Sequence, residues 1–298
     1  MNTYNTRHNP PPHRAGARVR VAPGGPRAPD TMKSGLPILV LIPHAGRTVP
    51  EELAGYEILG DFDLFFESDA CADVLFNFDD KTIARIDSPV SRVFVDLDRH
   101  HLMVAPRTDD GVVKKQTPSG HAIYPPGIFP DEIAISNLLM RYYHGFHRAI
   151  EKMLETGQVR LILDCHTMMP VGPRHAADPG RPRPLVTVNN IVTHEGTQIK
   201  TGPDESARAL LESMKKSLGG EEWTVGEHFA LNDPPFASHI MVRHGQGKTP
   251  LLRLSVSRGL FINDRYFRHD DLSVNSVRMF DLRRKIWEGI ERFYRRHF

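Results

Sequence analysis

The stretch of sequence that decides the fold reads VRLILDCHT, at residues 159–167. Its first half is an apolar run with β-branched residues, which is typical of a strand buried inside a mostly parallel sheet. Polar side chains follow at its end, in Asp164, Cys165, His166 and Thr167. Because open α/β sheets bind ligands at the carboxyl edge of their strands, this stretch predicts a functional site around His166.

A second stretch has the same design. Residues 36–41 are apolar and IPHAG follows at residues 42–46, so His44 also stands at the end of a predicted strand. Two strands that each end in a histidine suggest a metal site, since catalytic zinc commonly takes two histidines and one carboxylate. The alternative is that both are ordinary loop residues, because a chain with 16 histidines places two of them after strands easily by chance.

The neighbours of His166 have different predicted roles. Asp164 is expected either to support a metal-bound His166 or to act as a base, since ligating histidines usually donate their second N–H to a carboxylate or carbonyl. Cys165 is not expected to pair with His166 as a nucleophile, because adjacent residues on a strand point to opposite faces.

Composition excludes several classes of function. The hydrophobic fraction is 40 % and the charged fraction 25 %, as in ordinary globular proteins. A net charge of +2 argues against a specific nucleic-acid partner. No apolar run approaches the roughly 20 residues that span a bilayer, so no membrane association is expected. Two cysteines give no disulfide framework and favour a reducing, cytoplasmic location.

The chain is expected to consist of a tail and one domain. Residues 1–33 are rich in Pro, Gly and Arg and nearly lack acids, which predicts a disordered tail; a transit peptide is the disfavoured alternative. Residues 34–298 alternate strand and helix patterns, which predicts a single three-layer α/β domain with a mostly parallel mixed sheet. The predicted strands are 36–41, 82–87, 92–97, the run from 159, 185–188 and 251–256, and the predicted helices are 62–78, 131–156, 204–218 and 273–298.

Several segments resemble motifs of the N-formylglutamate amidohydrolase family. IPHAG at residues 42–46, SRVFVDLDR at 91–99 and DCHTM at 164–168 resemble its PHxG, SRxxxDLNR and DCHSM motifs. ESD at residues 67–69 resembles its acidic DTD segment, and YHGFH at 143–147 resembles its tyrosine–histidine helix motif. Asn232 and Phe236 stand where the family has an Asn/Phe stretch, and the resemblance runs from about residue 36 to about 262.

The resemblance implies a zinc-carboxypeptidase-like (phosphorylase/hydrolase-like) fold and a linear-amide hydrolase with a divalent metal, with zinc expected. Its substrate would be a small N-acyl amino acid, by default N-formylglutamate, within amino-acid metabolism. His44 and His166 would be ligands, and Asp69 or Glu67 the third. Asp69 is favoured and Glu67 held in reserve, since the two lie about 200° apart if the segment is helical. The metal would polarise the carbonyl and lower the pKa of bound water.

Arginines in the second motif are candidates for binding substrate. Arg92 and Arg99 would suit a substrate carboxylate, since the guanidinium fork matches that geometry. Ion pairs with Asp87, Asp96 or Asp98 are the competing interpretation, above all for Arg92. His147, like its helix neighbour His144, is expected to pack behind the site or to line the pocket.

One departure from the family pattern concerns the late strand. The family typically carries a glutamate in a pattern like QLExxR-x-LY, whereas RLSVSRGLF at residues 253–261 places Ser255 there. Serine does not accept a proton from water at neutral pH without a partner base. Asp164 or Glu67 would then have to serve as the catalytic base. Ser238 and His239 also stand where the family has paired glycines.

Three functions follow from these features. The first is a metal-dependent amidohydrolase. The second, motivated by Ser255, is a family member that lost hydrolysis and binds a ligand or partner. The third is a carboxypeptidase-like hydrolase with another amide substrate.

Overall fold

The computed structural model describes residues 35–78, 80–105, 108–233 and 236–298, and the predicted tail lies outside them. The strands are β1 (Leu36–Ile42), β2 (Thr82–Asp87), β3 (Leu161–Met168), β4 (Val186–Asn189), β5 (Ile191–His194), β6 (Thr197–Lys200), β7 (Phe229–Leu231), β8 (Leu251–Ser257), β9 (Phe267–Arg268) and β10 (Ser273–Val274). The α-helices are α1 (Asp61–Glu67), α2 (Ala72–Leu75), α3 (Glu132–Leu138), α4 (His144–Glu155), α5 (Asp204–Leu218), α6 (His239–His244) and α7 (Ser276–His297).

A mostly parallel mixed sheet forms the centre of the fold, as predicted. Its strand order is β2-β1-β3-β8-β4-β7. Strands β2, β1, β3 and β8 run parallel, whereas β4 is antiparallel to β8 and parallel to β7. Strand β3 is thus an interior strand, with β1 on one side and β8 on the other.

The two faces of β3 serve different purposes because side chains alternate along a strand. Leu161, Leu163 and Cys165 pack into a core with helices α2, α5 and α7. Ile162 belongs to the opposite core, beneath α3 and α4, and Asp164 and His166 share its face by their spacing. Helices therefore cover both faces in three layers, and Cys165 points away from His166 as predicted.

The predicted helix over residues 62–78 is wrong. Helix α1 ends at Glu67, Ser68 has an extended backbone, and Cys71 has φ of 60° before α2 begins. The interruption follows from a tertiary contact, since the Asp69 N–H donates to the His44 carbonyl oxygen at 2.8 Å. The angular separation expected for Glu67 and Asp69 on one helix therefore does not apply.

The predicted strand over residues 92–97 is also wrong. This segment is a series of turns in which the N–H groups of Phe94 and Val95 both donate hydrogen bonds to the Ser91 carbonyl oxygen. The consecutive apolar residues Val93, Phe94 and Val95 are all buried, so their pattern reflects burial on every side and not strand alternation.

The other predicted elements are confirmed within a few residues. The helix predicted over 131–156 is α3 and α4 joined by a π-helical turn, Leu139–Tyr143, and Asp131 caps it through Oδ1 to the Ala134 N–H at 2.8 Å. The sequence patterns did not predict the short elements β5, β6, β7 and α6. No helix in the described residues is both long and apolar enough to cross a membrane.

Candidate metal and substrate site

A cavity of about 460 Å³ opens at the carboxyl edge of the sheet, where β1, β3 and β8 end. It is lined by groups from these strands and from the loops after them, including His44, Asp69, His166, Ser255 and Arg258. This is the edge at which the sequence predicted a site.

The floor of the cavity comes from one face of three neighbouring strands. His166 of β3 is in register with Ser255 of β8, and Asp164 is in register with Arg253. Thr187 of β4 is paired with Ser255 on the other side. Because every second residue of a strand shares a face, these polar side chains lie together while their neighbours enter the opposite core.

Three candidate ligand atoms converge above this floor. His166 Nδ1 lies 2.7 Å from Asp69 Oδ2, and His44 Nδ1 lies 3.9 Å from the same oxygen. The ligand atoms of His44, Asp69 and His166 lie within 4.8 Å of one another, and all three side chains are buried. The structure thus brings Asp69, not Glu67, to the two histidines.

Each histidine is held from behind by a buried aspartate. His44 Nε2 lies 2.9 Å from Asp96 Oδ1, and His166 Nε2 lies 2.9 Å from Asp164 Oδ1. Because a carboxylate accepts hydrogen bonds, both Nε2 atoms carry the proton and donate it. This arrangement is the usual support for metal-bound histidine, in which the outer carboxylate fixes the ring and its tautomer.

The unpartnered ring nitrogen of His44 tests whether a cation fits. Burial, followed by the charge of Arg92, lowers the pKa of His44, so its Nδ1 carries a lone pair. This buried nitrogen has no hydrogen-bond partner among the described residues. The lone pair of His44 Nδ1 and the negative Asp69 carboxylate repel each other. A cation between them would remove this repulsion by attracting both groups, so the residues fit a divalent metal.

The charges around Asp69 and His166 reinforce this fit. Burial raises the pKa of Asp69, but the hydrogen bond and charge of His166 and the charges of His44 and Arg92 together outweigh burial and hold that pKa well below its usual range. Burial lowers the pKa of His166, but the Asp164 carboxylate and the bond to Asp69 raise it to about 9. The proton on His166 Nδ1 therefore occupies the position that a metal cation would take.

Cationic side chains hold Asp96 and Asp164, the aspartates behind the two histidines, in place. Arg92 and Lys114 lie 2.9 and 3.1 Å from Asp96 Oδ2. The Arg253 guanidinium bridges Asp164, at 2.6 Å, and Asp98. Such buried pairs fix geometry because an unpaired charge would be costly there.

The predicted substrate-binding residues have different positions. Arg92 and Arg99 both line the cavity, but Arg92 is paired with Asp96, as the competing interpretation held, and Arg99 with Asp110 at 2.7 Å. His147 is not brought to the cavity. It is fully buried, with its ring nitrogens 2.8 Å from His244 Nε2 and 3.1 Å from the Leu97 carbonyl oxygen.

The two predicted catalytic residues also differ in position. Glu67 lines the cavity. Asp164 lies beneath it, fully buried, with Oδ1 bonded to His166 and Oδ2 to Arg253. The sequence predicted that Asp164 either supports His166 or acts as a base. Its contacts match the first of these roles.

Sequence reasoning missed other residues of the site, among them Asp96, Lys114, Arg253 and Arg258. Arg253 had a usable signal, because a charged residue inside the apolar run LLRLSV at residues 251–256 must find a buried partner. Asp96 belongs to the SRVFVDLDR motif, but the sequence indicated it only as a possible ion-pair partner of Arg92 or Arg99. Lys114 had no signal, since it comes from a long irregular loop.

Comparison with known proteins gives a consistent picture. A model of the N-formylglutamate amidohydrolase family matches residues 36–262. The crystal structure of N-formylglutamate amidohydrolase from Ralstonia eutropha JMP134 aligns at 18 % identity with a TM-score of 0.67, covering 93 % of this chain and 100 % of its own. A gene product from Agrobacterium tumefaciens aligns at 14 % identity and a TM-score of 0.54, covering 90 % and 94 %.

More remote similarity extends to a metallo-carboxypeptidase from Burkholderia cenocepacia, at 11 % identity and a TM-score of 0.36, over 89 % of this chain and 58 % of that one. Among curated proteins no significant match is found. Likeness at these identities concerns the fold, whereas the family model covers well over half of the sequence and includes the residues that build the site. The chain belongs to the N-formylglutamate amidohydrolase family, a family of hydrolytic amidohydrolases.

Proposed function

We propose that the protein is a metal-dependent enzyme that hydrolyses the formyl amide of N-formylglutamate, or of a closely related N-acyl amino acid, to the free amino acid and a carboxylate. The observation that supports this most is the convergence of His44 Nδ1, His166 Nδ1 and Asp69 Oδ2. Two imidazole nitrogens and one carboxylate oxygen beside an open cavity are the ligand set of hydrolytic zinc sites. We propose zinc as the cation and cytoplasmic amino-acid metabolism as the setting.

A divalent cation at these ligands would supply Lewis-acid polarisation of the amide carbonyl and activation of water. The protein's own contribution is positional. Asp96 and Asp164 keep a proton on Nε2 of His44 and His166, so that Nδ1 of His44 presents a lone pair and Nδ1 of His166 would present one to a cation that displaces its proton. Arg92 and Arg253 hold those aspartates in place.

Amide hydrolysis also requires a group that takes a proton from water and returns one to the leaving nitrogen. Ser255 stands at the family's glutamate position and lacks the basicity. We assign this role to Glu67, which ends α1, lines the cavity and is only 7 % exposed. Asp164 is the weaker candidate, because both of its oxygens are already bonded to His166 and Arg253.

The pairing of Ser255 with His166 also favours a second function. With serine in this position, the protein would keep the fold and the metal and bind an anionic ligand without turnover. A carboxypeptidase-like hydrolase with another amide substrate is the third possibility, and a product screen separates it from the first.

Formate release tests these functions. The purified, zinc-supplemented protein is incubated with N-formylglutamate and a panel of other N-acyl amino acids and short amides, and free amine and acid are measured, with metal content determined in parallel. We expect stoichiometric metal and formate release from N-formylglutamate, both lost in His166→Ala. Metal without any product supports the ligand-binding function, and absence of metal overturns the proposal.

A further inference from the structure

The cations that line the cavity differ in whether a carboxylate neutralises them. Most have partners: Arg92 with Asp96, Arg99 and Lys114 with Asp110, Arg183 with Asp178, and Arg253 with Asp98 and Asp164. Arg258 is the exception. Among the described residues, no carboxylate oxygen lies within 4 Å of its guanidinium group.

Arg258 is nevertheless buried, at 7 % exposure, in the short helical turn directly after β8. One terminal nitrogen donates to the Phe66 carbonyl oxygen at 2.7 Å, which fixes the side chain. Its buried Nε has no hydrogen-bond partner among the described residues. A buried guanidinium with unused donors is costly unless an anion completes it.

The position of Arg258 relates it to the candidate metal ligands. It lines the same cavity as His44, Asp69 and His166. Burial lowers the pKa of Arg258, and the charges of Asp69 and Glu67 oppose that effect, whereas the charge of Arg92 adds to it. A molecule that occupies this cavity can therefore contact both Arg258 and the candidate metal ligands.

We infer that Arg258 binds the side-chain carboxylate of the substrate and thereby selects acidic N-acyl amino acids over neutral ones, since the α-carboxylate is common to both. The planar fork of arginine matches a carboxylate with two parallel hydrogen bonds. Arg92 and Arg99, which the sequence had indicated, already have carboxylate partners and shape the site instead. This inference rests on the proposed function only in naming the substrate as an N-acyl amino acid. The binding of a carboxylate by Arg258 does not depend on hydrolysis.

Binding of two non-reactive ligands to the zinc-loaded protein tests Arg258 without turnover. Glutarate and its monoamide, glutaramate, each keep one carboxylate for the metal end and differ in the second. We expect calorimetry to show that the wild-type protein binds glutarate about 10- to 100-fold more tightly, the range for a charged hydrogen bond. In Arg258→Met this ratio should fall to about 1.

Arg183→Met is the matched control, because it removes a cavity-lining arginine that already has a carboxylate partner. It should keep the wild-type ratio. Arg258→Lys should give an intermediate ratio, and it serves as the decisive variant if Arg258→Met does not fold. A wild-type ratio near 1, an unchanged ratio in the folded Arg258 variant, or an equal loss in Arg183→Met overturns the inference.

The outcome separates this inference from the proposed function. If the ratio collapses in Arg258→Met while the wild-type protein releases no formate, Arg258 is the carboxylate-binding residue of a different activity. If formate is released and the ratio survives, the hydrolytic function stands and the assignment of Arg258 is wrong.

Discussion

His166 Nε2 donates a hydrogen bond to Asp164 Oδ1 at 2.9 Å, and the two residues stand two positions apart on one face of β3. The strand therefore supplies both a candidate ligand and the carboxylate that orients it, with no loop between them. The opposite ring nitrogen faces Asp69, at 2.7 Å, from a segment 97 positions earlier in the chain.

Removal of the carboxylate behind His166 should weaken metal binding without removing a ligand. We expect Asp164→Asn to reduce zinc affinity about 10- to 100-fold, because a neutral amide oxygen accepts the Nε2–H bond less strongly than a carboxylate and no longer neutralises Arg253. Competition with a chromophoric chelator measures this. Cys165→Ala is the control, since Cys165 faces the opposite core, and a similar loss there would contradict the assignment.

Metal should stabilise the fold, because its ligands come from separate segments. At a free zinc concentration of 100 times the dissociation constant, the gain is about 2.7 kcal/mol, or about 5–10 °C in the thermal midpoint. Differential scanning fluorimetry with zinc and with a chelator measures it. Asp69→Asn should lose most of this response, whereas Asp73→Asn, at an exposed acid on α2, should keep it. An undiminished response in Asp69→Asn would exclude Asp69 as a ligand.

Glu67 should affect turnover more than binding. We expect Glu67→Gln to lower kcat by about 10²- to 10⁴-fold, the usual contribution of a general base, with KM and zinc content little changed. Steady-state formate release measures both constants. Asp61→Asn, at an exposed position in the first turn of α1, is the control. A normal kcat in Glu67→Gln would move the base to another residue.

Acid should destabilise the protein through a buried histidine pair. Burial, then the charge of His244, holds the pKa of His147 well below its usual value, and burial and Arg243 lower that of His244 to about 3. Both rings stay neutral in the folded state but are protonated in the unfolded chain below about pH 6.5. The free energy of unfolding should therefore fall as the pH drops below 6.5, by up to about 1.4 kcal/mol per unit for each ring.

Urea denaturation between pH 7.5 and 5 measures this dependence. His244→Gln should have lower stability at neutral pH but a shallower loss on acidification, since one buried neutral ring is gone. His194→Gln, at an exposed position in β5, should keep the wild-type slope. A wild-type slope in His244→Gln would show that the acid sensitivity has another origin.

Much of the scaffold could be predicted from sequence because it depends on local patterns. The apolar runs of β1 and β3 predicted two strands of one sheet. Because ligands bind at the carboxyl edge of parallel strands, the sequence also predicted that His44 and His166 lie close together. The prediction failed at α1, where an apolar segment looked like one helix. The hydrogen bond from the Asp69 N–H to the His44 carbonyl oxygen interrupts the helix after Glu67. Local helix propensity does not predict a contact between such distant segments.

The candidate site was predictable in its histidines but not in its charge pairing. Arg92 and Arg99 have the chemistry to bind a carboxylate, as Arg258 does, and sequence cannot show which of them already has a partner. Asp96 and Asp110 decide that question, and both come from turns and irregular loops.

The sequence by itself determined the sheet, its parallel core and the two histidines at its edge, because hydrophobic periodicity and strand direction are local properties. Only the tertiary structure decided that Asp69 joins those histidines, that His147 lies away from the cavity, and that Arg258 has no carboxylate partner among the described residues. Those facts depend on which side chains neutralise one another across distant segments. A buried charge without a partner is unfavourable, so each of these pairings affects the stability of the fold. The site is therefore defined by how the charges are paired and not by their presence in the sequence.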